Sequence, residues 1–159
     1  MKSKGEGELE IEKIFRKLVK KYNKILGSKG TWSDVLDKLG RKLYGKKFCG
    51  VYDQATLPWA KIKRSKCLYG IFNNDYSDNG EHWLSFVVKG KQVYIWDSFG
   101  RSIDDIVPEL QRQLRGQRIR YRMSDRDSNQ KDSQKDCGSR CFSFLECTDT
   151  YGIRKAMKI

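Results

Sequence analysis

The stretch Trp83-Leu84-Ser85-Phe86-Val87-Val88-Lys89-Gly90-Lys91-Gln92-Val93-Tyr94-Ile95-Trp96 decides the fold. Two runs rich in β-branched and aromatic residues flank Lys89-Gly90-Lys91, and a glycine between such runs reads as the bend of a β-hairpin. Upstream, Leu68-Tyr69-Gly70-Ile71-Phe72 is a further short apolar run, closed by the turn-rich stretch Asn73 to Gly80. Downstream, Ser102 to Arg115 carries Ile103, Ile106, Val107, Leu110 and Leu114 at helical spacing, with Pro108 predicting a break or a late start. Arg118, Arg120 and Arg122 then alternate with Ile119, Tyr121 and Met123, the two-residue period of a half-exposed strand. A polar loop from Ser124 to Asp136 leads into Cys137 to Cys147, apolar enough for a buried helix.

The flanks are helical. From Glu8 to Leu26, Ile11, Ile14, Phe15, Leu18, Tyr22, Ile25 and Leu26 repeat at helical spacing. Lys13, Arg16, Lys17, Lys20, Lys21 and Lys24 fill the other faces, giving a basic amphipathic helix. Gly27-Ser28-Lys29-Gly30 breaks it, and Ser33 reads as the N-cap of a second helix running to about Tyr44. The expected class is α+β: a small central, mostly antiparallel sheet packed by helices. Residues 1–30 form a basic N-terminal extension and 31–159 one domain.

The chain has 159 residues, 33 Lys and Arg against 20 Asp and Glu, and a formal net charge of +13. Hydrophobic residues make up 38% and aromatics 12%, which fits a folded chain and excludes a disordered one. A surface so basic favours polyanions, nucleic acid first and an anionic membrane second. No stretch reaches the roughly 18 apolar residues a span needs, so no spanning segment is expected, and of the two polyanions nucleic acid, not membrane, is the expected partner. The lysine-rich start has no signal-like apolar segment. The odd set Cys49, Cys67, Cys137, Cys141 and Cys147 therefore reads as free thiols in a reducing compartment.

The chemistry gathers at three places. His82, the one histidine, stands in Asn79-Gly80-Glu81-His82-Trp83, where a turn meets a strand and a side chain can be rigid yet open to solvent. Asp97 ends the partner strand of the hairpin, so it should neighbour His82 in space. There its carboxylate can fix the tautomer of the imidazole and stabilise the imidazolium. The same carboxylate can instead cap the turn into Ser98-Phe99-Gly100. Cys137 opens the last helix, whose unpaired N–H groups and dipole, with a nearby imidazolium, should lower its thiol pKa. Gly138 behind it would let a substrate backbone approach. Cys141 and Cys147 fit small core residues better, and one histidine without paired CxxC motifs does not make a structural zinc site. Gln130 lies seven residues before Cys137 and Gln134 three before. A glutamine amide with the cysteine N–H can form an oxyanion hole, and Gln130 has the better spacing.

Gly80-Glu81-His82-Trp83-Leu84, then Trp96-Asp97-Ser98-Phe99-Gly100, then Gln130 with Asp136-Cys137-Gly138, resembles the adenovirus protease (adenain) family, which shares a clan with the SUMO-deconjugating peptidases. Cys49-Gly50-Val51-Tyr52-Asp53 also looks like that family's early Gly-x-Tyr-Asp segment. The resemblance covers roughly Trp32 to Leu145. It implies a papain-like cysteine protease core with Cys137 as nucleophile, His82 as base, Asp97 as its orienter and Gln130 in the oxyanion hole. Trp83, Gly80, Glu81 and Gly138 would line the substrate cleft. It further implies a monomeric viral endopeptidase that cleaves virion precursor proteins at Gly-containing sites, in the virion and the nucleus of the infected cell. No cofactor is needed for the chemistry; DNA and a short viral peptide would act as activators. The segment from Gln117 to Asn129 lacks the cysteine to which that family ties its peptide.

Two other readings stand beside this one. The same residues could serve a deconjugating peptidase for a ubiquitin-like modifier. A basic nucleic-acid-binding module without catalysis could instead stack bases on Trp32, Trp59 and Trp96.

Overall fold

Six consecutive residues of the first hairpin strand, Trp83 to Val88, are buried, and such a run demands cover on both faces of the sheet. The computed structural model describes residues 4–27, 32–74, 82–124 and 136–159. Five strands, β1 (Phe48–Asp53), β2 (Cys67–Asn73), β3 (Trp83–Lys89), β4 (Gln92–Trp96) and β5 (Arg120–Met123), lie side by side in chain order. β2, β3 and β4 are mutually antiparallel, whereas β1 and β5 join the two edges in parallel. β3 is thus the central strand. The hairpin turns through Gly90, whose φ of 63° suits glycine at no steric cost.

Alternation divides the side chains between two cores. Trp83, Val87 and Trp96 face a cluster that includes Phe15, Tyr22, Phe142 and Phe144. Leu84, Phe86, Val88, Val93 and Ile95 face a second cluster with Ile103, Ile106, Leu110 and Leu114. The first face is covered by α1 (Lys4–Leu26), α2 (Ser33–Tyr44), α6 (Cys137–Tyr151) and α7 (Ile153–Ala156). The second is covered by α3 (Trp59–Arg64), α4 (Ile103–Ile106) and α5 (Pro108–Gly116). The α+β class and its helix-packed central sheet are therefore as expected.

The basic amphipathic helix packs its apolar face into the first core. Ile11, Phe15, Val19 and Tyr22 of α1 are buried, and the helix lies along α6. The Tyr22 hydroxyl donates to Glu146 Oε1 at 2.6 Å, and Lys21 Nζ reaches the same oxygen at 3.0 Å. Its remaining basic residues Lys13, Arg16, Lys17, Lys20 and Lys24 stay exposed.

Several local expectations need correction. Ile25 is 55% exposed and so leaves the apolar face of α1. Trp32, not Ser33, occupies the N-cap of α2, and its carbonyl accepts the Leu36 N–H at 3.1 Å without any side-chain cap. The break expected at Pro108 is present, since Val107 leaves the helical region at φ −140° and ψ 58° and the proline starts α5. β1 escaped periodicity because its ladder shifts between Phe48 and Val51, where Gly50 sits at φ 140°.

Candidate active site

A hairpin brings the residue before its first strand and the residue after its second to the same end. Ser85 pairs with Trp96, so His82 and Asp97 both emerge there. His82 Nε2 lies 2.5 Å from Asp97 Oδ1, with His82 4% and Asp97 1% exposed. That leaves Nδ1 as the nitrogen with which the ring can exchange a proton with a substrate or a nucleophile.

α6 packs beneath β3 and starts at the same end. The backbone N–H of Trp83, next in sequence to His82, donates to Cys137 Sγ at 3.5 Å. Thiol, imidazole and carboxylate are thus gathered by the start of β3, the end of β4 and the first residue of α6. Cys137 holds position N1, where a helix offers its N–H no internal acceptor. The residue before it is anchored from two sides: Asp136 Oδ1 accepts from Arg140 Nε at 2.9 Å, and Oδ2 accepts from Asn23 Nδ2 of α1 at 3.3 Å.

Asp97 serves both roles that the sequence left open. Oδ1 also accepts the Phe99 N–H at 3.3 Å, and Oδ2 accepts from the Arg101 N–H at 2.9 Å and from Arg101 Nε at 3.3 Å. The carboxylate caps its own turn while it holds the imidazole. Its backbone is fixed as well, since its N–H donates to Ser124 Oγ at 3.1 Å. Burial pushes this carboxyl up, but the hydrogen bond and charge of His82 and those of Arg101 outweigh it and hold the group below the ordinary carboxylate range.

The expectation for the thiol fails. Burial pushes Cys137 up, and the N–H groups of Trp83, Gly138 and Cys137 itself counter this only in part; the negative charge of Asp136 adds to the rise. The helix start is real, but desolvation of a residue only 7% exposed outweighs it. Cys141 and Cys147 are fully buried core residues, and the five cysteines form no disulfide.

Of the other predicted positions, Gly138 is buried in the first turn of α6. The Trp83 side chain is 4% exposed and belongs to the core, so what Trp83 turns to the sulfur is its N–H. Gly80, Glu81, Gln130 and Gln134 lie outside the described residues. Trp96 is fully buried and stacks on Phe144 with centroids 5.1 Å apart, which removes it from any base-stacking platform. Trp59 Nε1 is tied to Gln113 Oε1 at 2.8 Å. Phe99, Arg101, Ser124 and Asn23 were missed. Only the Asp97/Arg101 spacing offered a signal, and outside a helix a four-residue spacing carries little weight.

No protein-family profile and no curated protein matches the sequence. Among solved structures the fold is similar to the crystal structure of ASFV pS273R protease, with a TM-score of 0.51 and 13% identity. The match covers 84% of this chain and 66% of that one, so the chain spans just under two thirds of the neighbour's length. The likeness shows a fold shared with that protease.

Proposed function

We propose that this protein is a viral cysteine endopeptidase that cleaves precursor proteins at Gly-containing sites. One observation carries the reading: Asp97 holds His82 by Nε2 while the neighbouring Trp83 N–H holds Cys137 Sγ. A carboxylate, an imidazole and a thiol drawn to one end of a sheet form the arrangement that activates a sulfur nucleophile.

In this mechanism the buried thiol is the resting form. Its proton passes to His82 Nδ1 as sulfur attacks the scissile carbonyl carbon. Asp97 stabilises the resulting imidazolium through Nε2. The oxyanion takes the N–H of Cys137 and the side-chain amide of Gln130. Collapse breaks the C–N bond, and the departing amine takes the proton back from His82, leaving a thioester. Water, giving a proton to His82, then attacks the thioester carbon; the C–S bond breaks, the acid product leaves, and the sulfur takes the proton back from His82. The exposed basic faces of α1 and of Arg120 and Arg122 favour DNA as an activator, bound through phosphates without sequence choice.

The test is labelling by a peptide vinyl sulfone ending in Gly-Gly, read by intact mass and peptide mapping, with and without DNA. We expect a single adduct at Cys137, lost in His82→Ala and accelerated by DNA at low salt. Modification spread over all five cysteines and indifferent to His82 would overturn the assignment.

A further inference from the structure

The turn after β4 does more than reverse the chain. From Asp97 to Arg101 it folds back on the carboxylate; one of its side chains lies against the imidazole and a second lies over the first. Phe99 lies against His82 with ring centroids 4.7 Å apart at 43°. The Arg101 guanidinium lies over the other ring of this pair, 4.8 Å from the Phe99 centroid. The same guanidinium donates through Nε to Asp97 Oδ2, the oxygen that does not meet His82.

We propose that Arg101 is a positioning residue of the site: by holding Oδ2 it keeps Oδ1 turned to His82, and by covering Phe99 it keeps that ring pressed on the imidazole. The inference rests on the protease reading above. A carboxylate bound only at Oδ1 could rotate about its Cβ–Cγ bond and release Nε2. Donors on both oxygens prevent this. The backbone N–H of Arg101 shares the task, so the side chain supplies part of the restraint and, with His82, the positive charge that holds the carboxylate ionised. Among the described residues, the titratable groups facing Asp97 are His82 ahead of β3, Arg101 in the turn and Cys141 of α6, and Ser124 after β5 contributes only a neutral hydroxyl. Removing the guanidinium therefore weakens the ionised form of Asp97 and lets its carboxyl rise.

The Arg101 side chain is 39% exposed, so replacing it opens no core cavity. Solvent screening keeps its effect moderate. For Arg101→Gln we expect kcat/KM to fall by about fivefold to tenfold at neutral pH, between the worth of an exposed ion pair and that of a charge-assisted hydrogen bond. We also expect the acid limb of the pH profile to move to higher pH, since a less stabilised Asp97 protonates sooner. Arg101→Lys keeps the charge and should return the limb toward the wild-type position. It should recover only part of the rate, because an ammonium lacks the planar group that covers Phe99.

The measurement is kcat/KM on a Gly-Gly reporter peptide across acid and neutral pH. It is paired with the rate of Cys137 alkylation by iodoacetamide, which needs no substrate recognition. An Arg101→Gln acid limb superimposed on that of the wild type, or a rate loss equal at every pH that Arg101→Lys shares in full, would overturn the inference. Wild-type alkylation indifferent to His82→Ala would sink the protease reading and this inference with it. Alkylation that depends on His82, with an unmoved Arg101→Gln limb, would sink this inference alone.

Discussion

Asp97→Asn preserves the shape of a side chain that four donors surround, and it leaves the amide no harmless orientation. His82 Nε2 and the Phe99 N–H meet Oδ1, while the Arg101 N–H and Arg101 Nε meet Oδ2. If the new NH2 replaces Oδ2, it faces two donors of Arg101, and both bonds are lost. The bond from the charged Arg101 Nε is worth about 1.5–3 kcal/mol and that from the Arg101 N–H about 0.5–1.5 kcal/mol, so this orientation costs about 2–4.5 kcal/mol. If the NH2 replaces Oδ1, it faces the Phe99 N–H and loses a bond worth about 0.5–1.5 kcal/mol. It then donates to His82 Nε2, and the imidazole must carry its proton on Nδ1. The ring is held in the tautomer that cannot accept the Cys137 proton. The second orientation keeps the Arg101 bonds and should dominate. The active tautomer is then populated only to the extent that the first orientation is reached. At about 1.4 kcal/mol per tenfold, a mid-range difference of about 2 kcal/mol lowers kcat/KM by roughly 30-fold.

The assay is turnover of a Gly-Gly reporter at neutral pH, with circular dichroism to verify the fold. A variant within about fivefold of wild type would refute the reasoning, because it would mean that Asp97 does not set the tautomer. The same substitution should change how stability responds to acid. The folded Asp97 carboxyl is held below the ordinary range, so the unfolded chain binds the proton more readily. This contribution is complete above the unfolded carboxyl value and is lost as the pH falls through the lower folded value. Asp97→Asn should remove it, flattening that part of the acid limb in denaturant unfolding.

Two further perturbations test the packing that positions the site. A Cβ on Gly70 would lie 2.2 Å from Phe86 Cζ and 2.3 Å from its Cε1, so Gly70→Ala must displace a fully buried ring between β2 and β3. We expect about 1–3 kcal/mol of destabilisation by denaturant unfolding, and a neutral result would show that the ring has room to move. Phe15 of α1 is 1% exposed and meets Trp96 edge-on with centroids 5.5 Å apart, one residue before Asp97. Phe15→Ala should cost about 3–5 kcal/mol and lower the melting temperature accordingly, whereas an unchanged melting temperature would mean that α1 does not belong to the core in solution.

Much of the architecture was legible because hydrophobic period and turn chemistry agreed. The Trp83–Trp96 hairpin and the break at Pro108 each combine a period with a punctuating residue, whereas the alternation read from Arg118 to Met123 yields a strand that starts only at Arg120, after Arg118 at φ 57°. β1 and α3 offered no such agreement. β1 carries a ladder shift at Gly50, and α3 is only six residues long, too short for a helical period to emerge. The pairing of His82 with Asp97 was legible for a geometric reason: hairpin register alone sets which residues share an end. Phe99 and Arg101 were not, since their positions depend on a turn that folds around a buried carboxylate.

The state of the thiol marks where sequence reasoning ran out. Position at a helix start is local and can be read from residues, whereas desolvation depends on what the fold packs over the sulfur. The groups around Cys137 come from distant parts of the sequence: β3 supplies the Trp83 N–H to its sulfur, and α1 anchors the preceding Asp136 through Asn23. These contacts span 54 and 113 residues of sequence. Burial and the charge of Asp136 both favour the neutral thiol, so the site invests its fixed polarity in His82 and Asp97 rather than in a standing thiolate. The nucleophile is then generated by proton transfer to a ring already oriented for it, which makes the orientation of that ring, and so the turn from Asp97 to Arg101, the feature on which the proposed activity depends.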